Sequence, residues 1–131
     1  MIFVDSNIPI YVVGEAHANK ARSIVLLEEA LGAGERLVTD AEVLQEILHR
    51  YRTIGRLDAV QPAFDTVLGI VDAVFPIELA DCLGAKDVLL GEYGLSARDS
   101  LHVAVMQRNG VRRIMSFDVD FDRYPGIARI G

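Results

Sequence analysis

Two periods of apolar and polar residues run through the chain. Ile2-Phe3-Val4 is a short continuous apolar run that stops at Asp5-Ser6-Asn7, which predicts a buried strand. Leu37-Val38-Thr39 and the run from Arg113 to Phe117 read the same way, and a weak strand lies at 127–130. Ala73 to Ile77 is a further strand, placed at the sheet edge because Pro76 cannot donate to a ladder. Helical spacing fills the gaps. Pro9 in a first turn starts a short helix through Val13, and Ala18 to Leu31 is a longer helix closed by Gly32 and Gly34. Asp40 to Arg52 is a third, broken by Gly55, and Leu57 to Leu68 and Glu78 to Tyr93 follow. A last helix opens at Ser96 and stops at Asn109-Gly110. Strands that are apolar throughout and alternate with helices predict an α/β fold with a mainly parallel central sheet of about five strands, covered on both faces. Ligands of such sheets sit beyond the carboxyl ends of the strands. Asp5 and Asp118 each follow a strand and should reach that edge together.

Composition narrows this picture. At 131 residues the chain fits one domain spanning residues 1–131. The lone Cys82 excludes an internal disulfide and a sulfur-based metal site. Met1 to Val13 lacks the basic start of a signal peptide and carries Asp5 in its apolar stretch, and no apolar run reaches bilayer length. A cytoplasmic protein with no membrane partner is expected. The net charge of −6 argues against nucleic-acid binding, unless several of the acids gather at one metal site and the bound cations reverse the local sign.

The acids sort by their surroundings. Asp5 fits either an N-cap or a ligand, and Asn7 either a cap before Pro9 or a hydrogen-bond partner of a neighbouring carboxylate. In the third helix Thr39 and Glu42 have capping-box spacing, which gives Glu42 a structural task. Glu46 borders the apolar arc of Val43, Leu44, Ile47 and Tyr51, so it is favoured over Glu42 for a site at the sheet edge. Asp99 also has capping-box spacing, from Ser96. It nevertheless shares a face with Val103 and Met106 on a helix that reads as buried nearly all round, where a carboxylate needs a cation or donors. Asp118, Asp120 and Asp122 alternate like the start of a calcium-binding EF-hand loop. Arg123 and Arg129 occupy the positions where that loop needs Gly and Glu, leaving Asp118 as the ligand candidate and Asp120 as a second. His17, His49 and His102 show no ligand spacing and are expected at the surface or its boundary. Lys20, Arg22, Arg98, Arg112 and Arg113 are candidate phosphate contacts that the sequence does not place.

Four segments in this order resemble the PIN-domain nucleases, most closely the small VapC-type toxins of toxin–antitoxin pairs. They are Val4-Asp5-Ser6-Asn7, Val38-Thr39 with Leu44-Gln45-Glu46-Ile47-Leu48, Leu95 to His102, and Met115 to Phe121. The resemblance implies a three-layer α/β/α sandwich and a metal-dependent endoribonuclease. Its four acids would be Asp5, Glu46, Asp99 and Asp118, with Asp5, Asp99 and Asp118 as metal ligands and Asp118 and Asp120 both open for the last place. Ser116 would take the hydroxyl position that orders the site, and Asn7 the polar position after the first acid. It further implies Mg²⁺ or Mn²⁺, an RNA substrate, a homodimer and a small antitoxin that blocks the site. The alternatives are a haloacid-dehalogenase-like phosphohydrolase, which would need an acid where Asn7 stands, and a non-catalytic binding module whose acids are only helix caps.

Overall fold

A computed structural model describes residues 1–131. Five parallel strands form one sheet: β1 (Ile2–Val4), β2 (Leu37–Asp40), β3 (Ala73–Phe75), β4 (Arg113–Met115) and β5 (Ala128–Ile130), in the order β3-β2-β1-β4-β5. The helices are α1 (Asn7–Val13), α2 (Ala18–Gly32), α3 (Ala41–Thr53), α4 (Val60–Ile70), α5 (Leu79–Leu90) and α6 (Ala97–Arg108).

Alternation along each strand explains why the strands are apolar at every position. Phe3, Val38 and Ile114 point into one core with Val43 and Ile47 of α3, Val67 of α4, Val88 of α5 and Met106 of α6. Their neighbours Ile2, Val4, Leu37 and Met115 point into a second core with Ile8 of α1 and Leu26, Leu27 and Ala30 of α2. Successive side chains leave opposite faces, and here both faces are covered, giving the sandwich expected from the pattern. Pro76 follows β3 at the sheet edge, as its missing N–H requires.

Local differences from the sequence reading have local causes. The chain turns into α1 two residues before Pro9, leaving Pro9 in the first turn, where a missing N–H costs nothing. The stretch from Leu57 starts as a single 3₁₀ turn (Leu57–Ala59), and α4 proper begins at Val60. The assigned strand β4 stops at Met115; the Ser116 N–H still donates to the Ile130 carbonyl at 3.0 Å, and the chain leaves the sheet from there. Asp40, not Thr39, caps α3: its Oδ1 accepts from the Val43 N–H at 2.9 Å, while the Thr39 hydroxyl donates to the Val4 carbonyl at 2.8 Å. Thr39 lies within β2, where its side chain ties two strands and is not free to cap.

The chain order reverses between β1 and β4, since β2 and β3 extend the sheet one way and β5 the other. A crevice opens at the carboxyl ends of strands at such a switch point. β1 delivers Asp5 there and β4 delivers Ser116 and Asp118.

Candidate metal centre

At that crevice an open cleft of about 490 Å³ is lined by Asp5, Glu46, Asp99 and Asp118, with Ser6, Asn7 and Arg98 among its walls. Acids drawn from β1, α3, α6 and the loop after β4 therefore face one space. Glu42 is not among the lining residues; it is half-buried, with Arg98 Nε 3.9 Å from its carboxylate. Asp120 is also outside the cleft. Its backbone N–H donates to Asp118 Oδ1 at 2.9 Å, and its carboxylate pairs with Arg123 at 3.3 Å.

Each acid is held differently. Asp5 is buried, and its Oδ2 accepts from the Ser116 hydroxyl at 2.6 Å and from the Asn7 amide at 3.3 Å. Its Oδ1 accepts from the Ser6 N–H. Ser116 Oγ is the hub of this loop, because it also accepts from the Asn7 amide at 3.1 Å and from the Asp118 N–H at 3.0 Å. One hydroxyl thus fixes the first acid, the polar residue beside it and the backbone of the last acid. The Asp99 main-chain N–H donates to Ser96 Oγ at 3.1 Å. No reciprocal bond from its carboxylate closes a capping box, so the side chain is left to the cleft.

Glu46 is held at both of its oxygens. Its Oε2 accepts from the Ser6 hydroxyl at 2.6 Å and its Oε1 meets His102 Nε2 at 2.5 Å. The other ring nitrogen, Nδ1, lies 2.7 Å from Asp40 Oδ2. His102 and Asp40 are wholly buried, contrary to the surface or boundary placement expected for His102. Its neighbours Leu101, Val103, Ala104, Val105 and Met106 carried the signal: a helix buried on nearly every side leaves its histidine no route to water. A buried imidazole with a carboxylate on each nitrogen is a cation. Burial pushes its pKa down, but the hydrogen bonds and charges of Asp40 and Glu46 outweigh that and raise it well above the usual value. The same contact holds Glu46 low against the opposing effect of burial.

The cleft acids feel the opposite balance. Burial raises the Asp5 carboxyl despite the opposing His102 charge and Ser116 hydrogen bond. Burial raises Asp99 to about 7, helped by the negative charges of Asp5 and Asp118 and by a side-chain hydrogen bond with Asp118.

An all-oxygen set of crowded carboxylates suits a hard divalent cation, which would take the place of the proton that burial favours on Asp99. His102 has a ring nitrogen within 4.8 Å of donor oxygens of Asp5 and Glu46. With both nitrogens committed to carboxylates it has no lone pair to offer, so it belongs to the support of the site and not to its ligands.

Of the other cations read from the sequence, only Arg98 reaches this cleft. Arg113 is bound by Glu35 at 2.7 and 2.8 Å, Lys20 donates to the Gly14 carbonyl at 2.8 Å, and Arg112 lines a separate hollow beside Tyr124. Arg22 is exposed on α2.

Comparison with known proteins agrees with this architecture. The family model described as PIN domain matches residues 2–127. The protein named Ribonuclease VapC13 of Mycobacterium tuberculosis is 59% identical over 130 residues, 99% of each chain. Ribonuclease VapC23 of the same species is 41% identical over 118 residues, 90% of this chain and 93% of its own. Among solved structures, Mycobacterium tuberculosis VapC20, titled a sarcin-ricin loop cleaving toxin, superposes with a TM-score of 0.77 at 21% identity over 97% of both chains. VapBC2 from Rickettsia felis, solved bound to a DNA fragment from its promoter, gives a TM-score of 0.71 at 15% identity over 99% of this chain and 98% of that one. At these identities the two structures speak for the fold.

Proposed function

Since the chain belongs to the PIN domain family, we propose that it is a metal-dependent endoribonuclease, the toxin of a toxin–antitoxin pair, acting as one domain over residues 1–131. The observation that carries this reading is the convergence of Asp5, Glu46, Asp99 and Asp118 on one cleft at the switch point of the sheet. The high identity to proteins named ribonucleases supports it. Mg²⁺ or Mn²⁺ is the proposed cofactor and RNA the substrate.

Asp5, Asp99 and Asp118 would hold the ion, with Glu46 at its margin. When bound, a divalent cation supplies the positive charge that offsets the phosphate and makes a water nucleophilic near neutral pH. The protein's own part is positioning. Ser116 keeps Asp5 and the Asp118 backbone in register, His102 and Ser6 prevent Glu46 from rotating, and Arg98 offers a guanidinium to a phosphate at the cleft wall. The dehalogenase-like alternative loses its general acid, because Asn7 is an amide committed to Asp5 and Ser116.

A small antitoxin is the proposed partner, in line with the structural likeness to toxin–antitoxin complexes. Homodimerisation is proposed from the apolar face that α5 leaves in solvent at Leu79, Leu83 and Leu90. No helix is long and apolar enough to cross a membrane, and the cytoplasm is the proposed compartment.

Purified protein should cleave single-stranded RNA with Mn²⁺ or Mg²⁺ and stop with EDTA or with Asp118→Asn. Asp120→Asn and Glu42→Gln should cleave nearly as the wild type does. Equal activity in EDTA, Asp118→Asn and wild type would assign the cleavage to a contaminant. Metal should also raise the melting temperature, and more at pH 8 than at pH 5, because protons compete for the same oxygens. A hundredfold excess over Kd is expected to add about 3 kcal/mol.

A further inference from the structure

The acid cleft does not end at Arg98. It shares Ser6, Asn7, Glu46 and Arg98 with a second hollow of about 480 Å³ that runs between α1 and α3 past Tyr11, His49, Arg50 and Thr53. Beyond it a third hollow continues along the same wall and shares Tyr11 and Arg50. We propose that the hollow between α1 and α3 seats the nucleotide next to the cleaved phosphate of a single-stranded RNA, with Arg50 on its phosphate and Tyr11 against its base. This rests on the nuclease reading above and adds the strand's path to it.

The charge distribution points this way. Around an acidic cleft in a chain of net charge −6, a polyanion can leave only where cations line the wall. On the far side, Arg123 is committed to Asp120 and the Gly94 carbonyl, and Arg129 to Asp122. On the α3 side, Arg50 is exposed, forms no ion pair and lines two consecutive hollows. Arg98 stands between it and the acids, 3.9 Å from its nearest carboxylate, Glu42. Two guanidiniums therefore follow one another away from the acids, spaced along α6 and α3.

The aromatic wall suits an unstacked base. Tyr11 meets Phe117 edge-on at 5.5 Å, which braces the ring beside the loop that carries Asp118, and it stacks on His17 at 5.2 Å. Bases splayed out of single strands stack on such braced rings, whereas a duplex buries its bases from them.

Binding can be separated from cleavage by labelling a short single-stranded RNA of mixed sequence and measuring fluorescence anisotropy with the Asp99→Asn protein in Mg²⁺. Adding Arg50→Ala should weaken binding roughly tenfold and flatten the dependence of log K on log salt by about 0.7, as for one lost phosphate contact on a single strand. Adding Tyr11→Leu, which keeps an apolar side chain against Phe117, should weaken binding about tenfold at every salt concentration, while Tyr11→Phe should bind normally. Arg52→Ala, an exposed arginine outside these hollows, is the charge control. The same RNA annealed to its complement should bind more weakly than the single strand.

Unchanged affinity and slope in Arg50→Ala, or equal losses in Arg50→Ala and Arg52→Ala, would overturn the subsite and leave the hollow to a protein partner. A wild type that binds RNA through Arg50 and Tyr11 without cutting it would support the subsite and sink the nuclease reading instead.

Discussion

Asp99→Asn is expected to lower RNA cleavage by roughly a hundredfold or more and, in the absence of metal, to make the protein harder to unfold at neutral pH. The first effect follows from removing an oxygen anion from the cleft shared with Asp5 and Asp118. The second is a matter of sign. The Asp99 carboxyl sits at about 7 in the fold against an ordinary 3.8, so between those values the native state holds a proton that the unfolded chain has released. Stability from this group is therefore intact below pH 4, falls as pH rises, and is fully lost above pH 7. The full shift is worth about 4 kcal/mol, and partial solvent access to the cleft reduces it to about 2 kcal/mol. Asparagine cannot ionise, so the variant should gain little at pH 4 and most at pH 8. Urea denaturation of both proteins in EDTA at the two pH values measures it. If Asp99 were only a helix cap, the variant would be less stable at both pH values and would still cut RNA.

A loss of stability is expected at His102. Replacing it by Leu removes the cation from between two carboxylates, Asp40 and Glu46, that have almost no access to water. Breaking a buried pair in this way costs about 3–5 kcal/mol, because the partner charges stay behind uncompensated. A domain's whole stability is about 5–15 kcal/mol, so His102→Leu should lose a large fraction of it and unfold at a much lower urea concentration than the wild type. Neutralising the partners should restore part of the loss, and the triple variant His102→Leu with Asp40→Asn and Glu46→Gln is expected to fold better than the single one. A single variant within about 1 kcal/mol of wild type would show that the imidazole is not a needed charge.

These two residues also mark how far the chain could be read before folding. Asp99 stood out because its helix carries Val103 and Met106 on the same face, and an acid in apolar company needs an explanation. Glu46, at the border of its helix's apolar arc, differs from Glu42 in the same way, and the fold puts Glu46 in the cleft and Glu42 beside it. The apolar neighbours of His102 signal its burial, but nothing in the sequence pairs it with Asp40. Asp40 looked like the start of a helix, which it is, since its Oδ1 caps α3. Its other oxygen reaches across 62 positions of chain to His102, and no spacing within a helix or strand encodes that. The same holds for Arg50 and Tyr11, which are ordinary polar and aromatic residues until α1 and α3 are set side by side.

Element type and order are local properties. A run that is apolar at every position must be covered on both faces, and a helix must bury its stripe, so the sequence by itself determined a parallel sheet with helices on either side. What the tertiary structure alone decided is which charges meet. The strand order β3-β2-β1-β4-β5 places the first and fourth strands together and gathers acids from residues 5 to 118 at one crevice. Coulombic effects depend on distance through space and on burial, and both come into being only when the chain has closed around them.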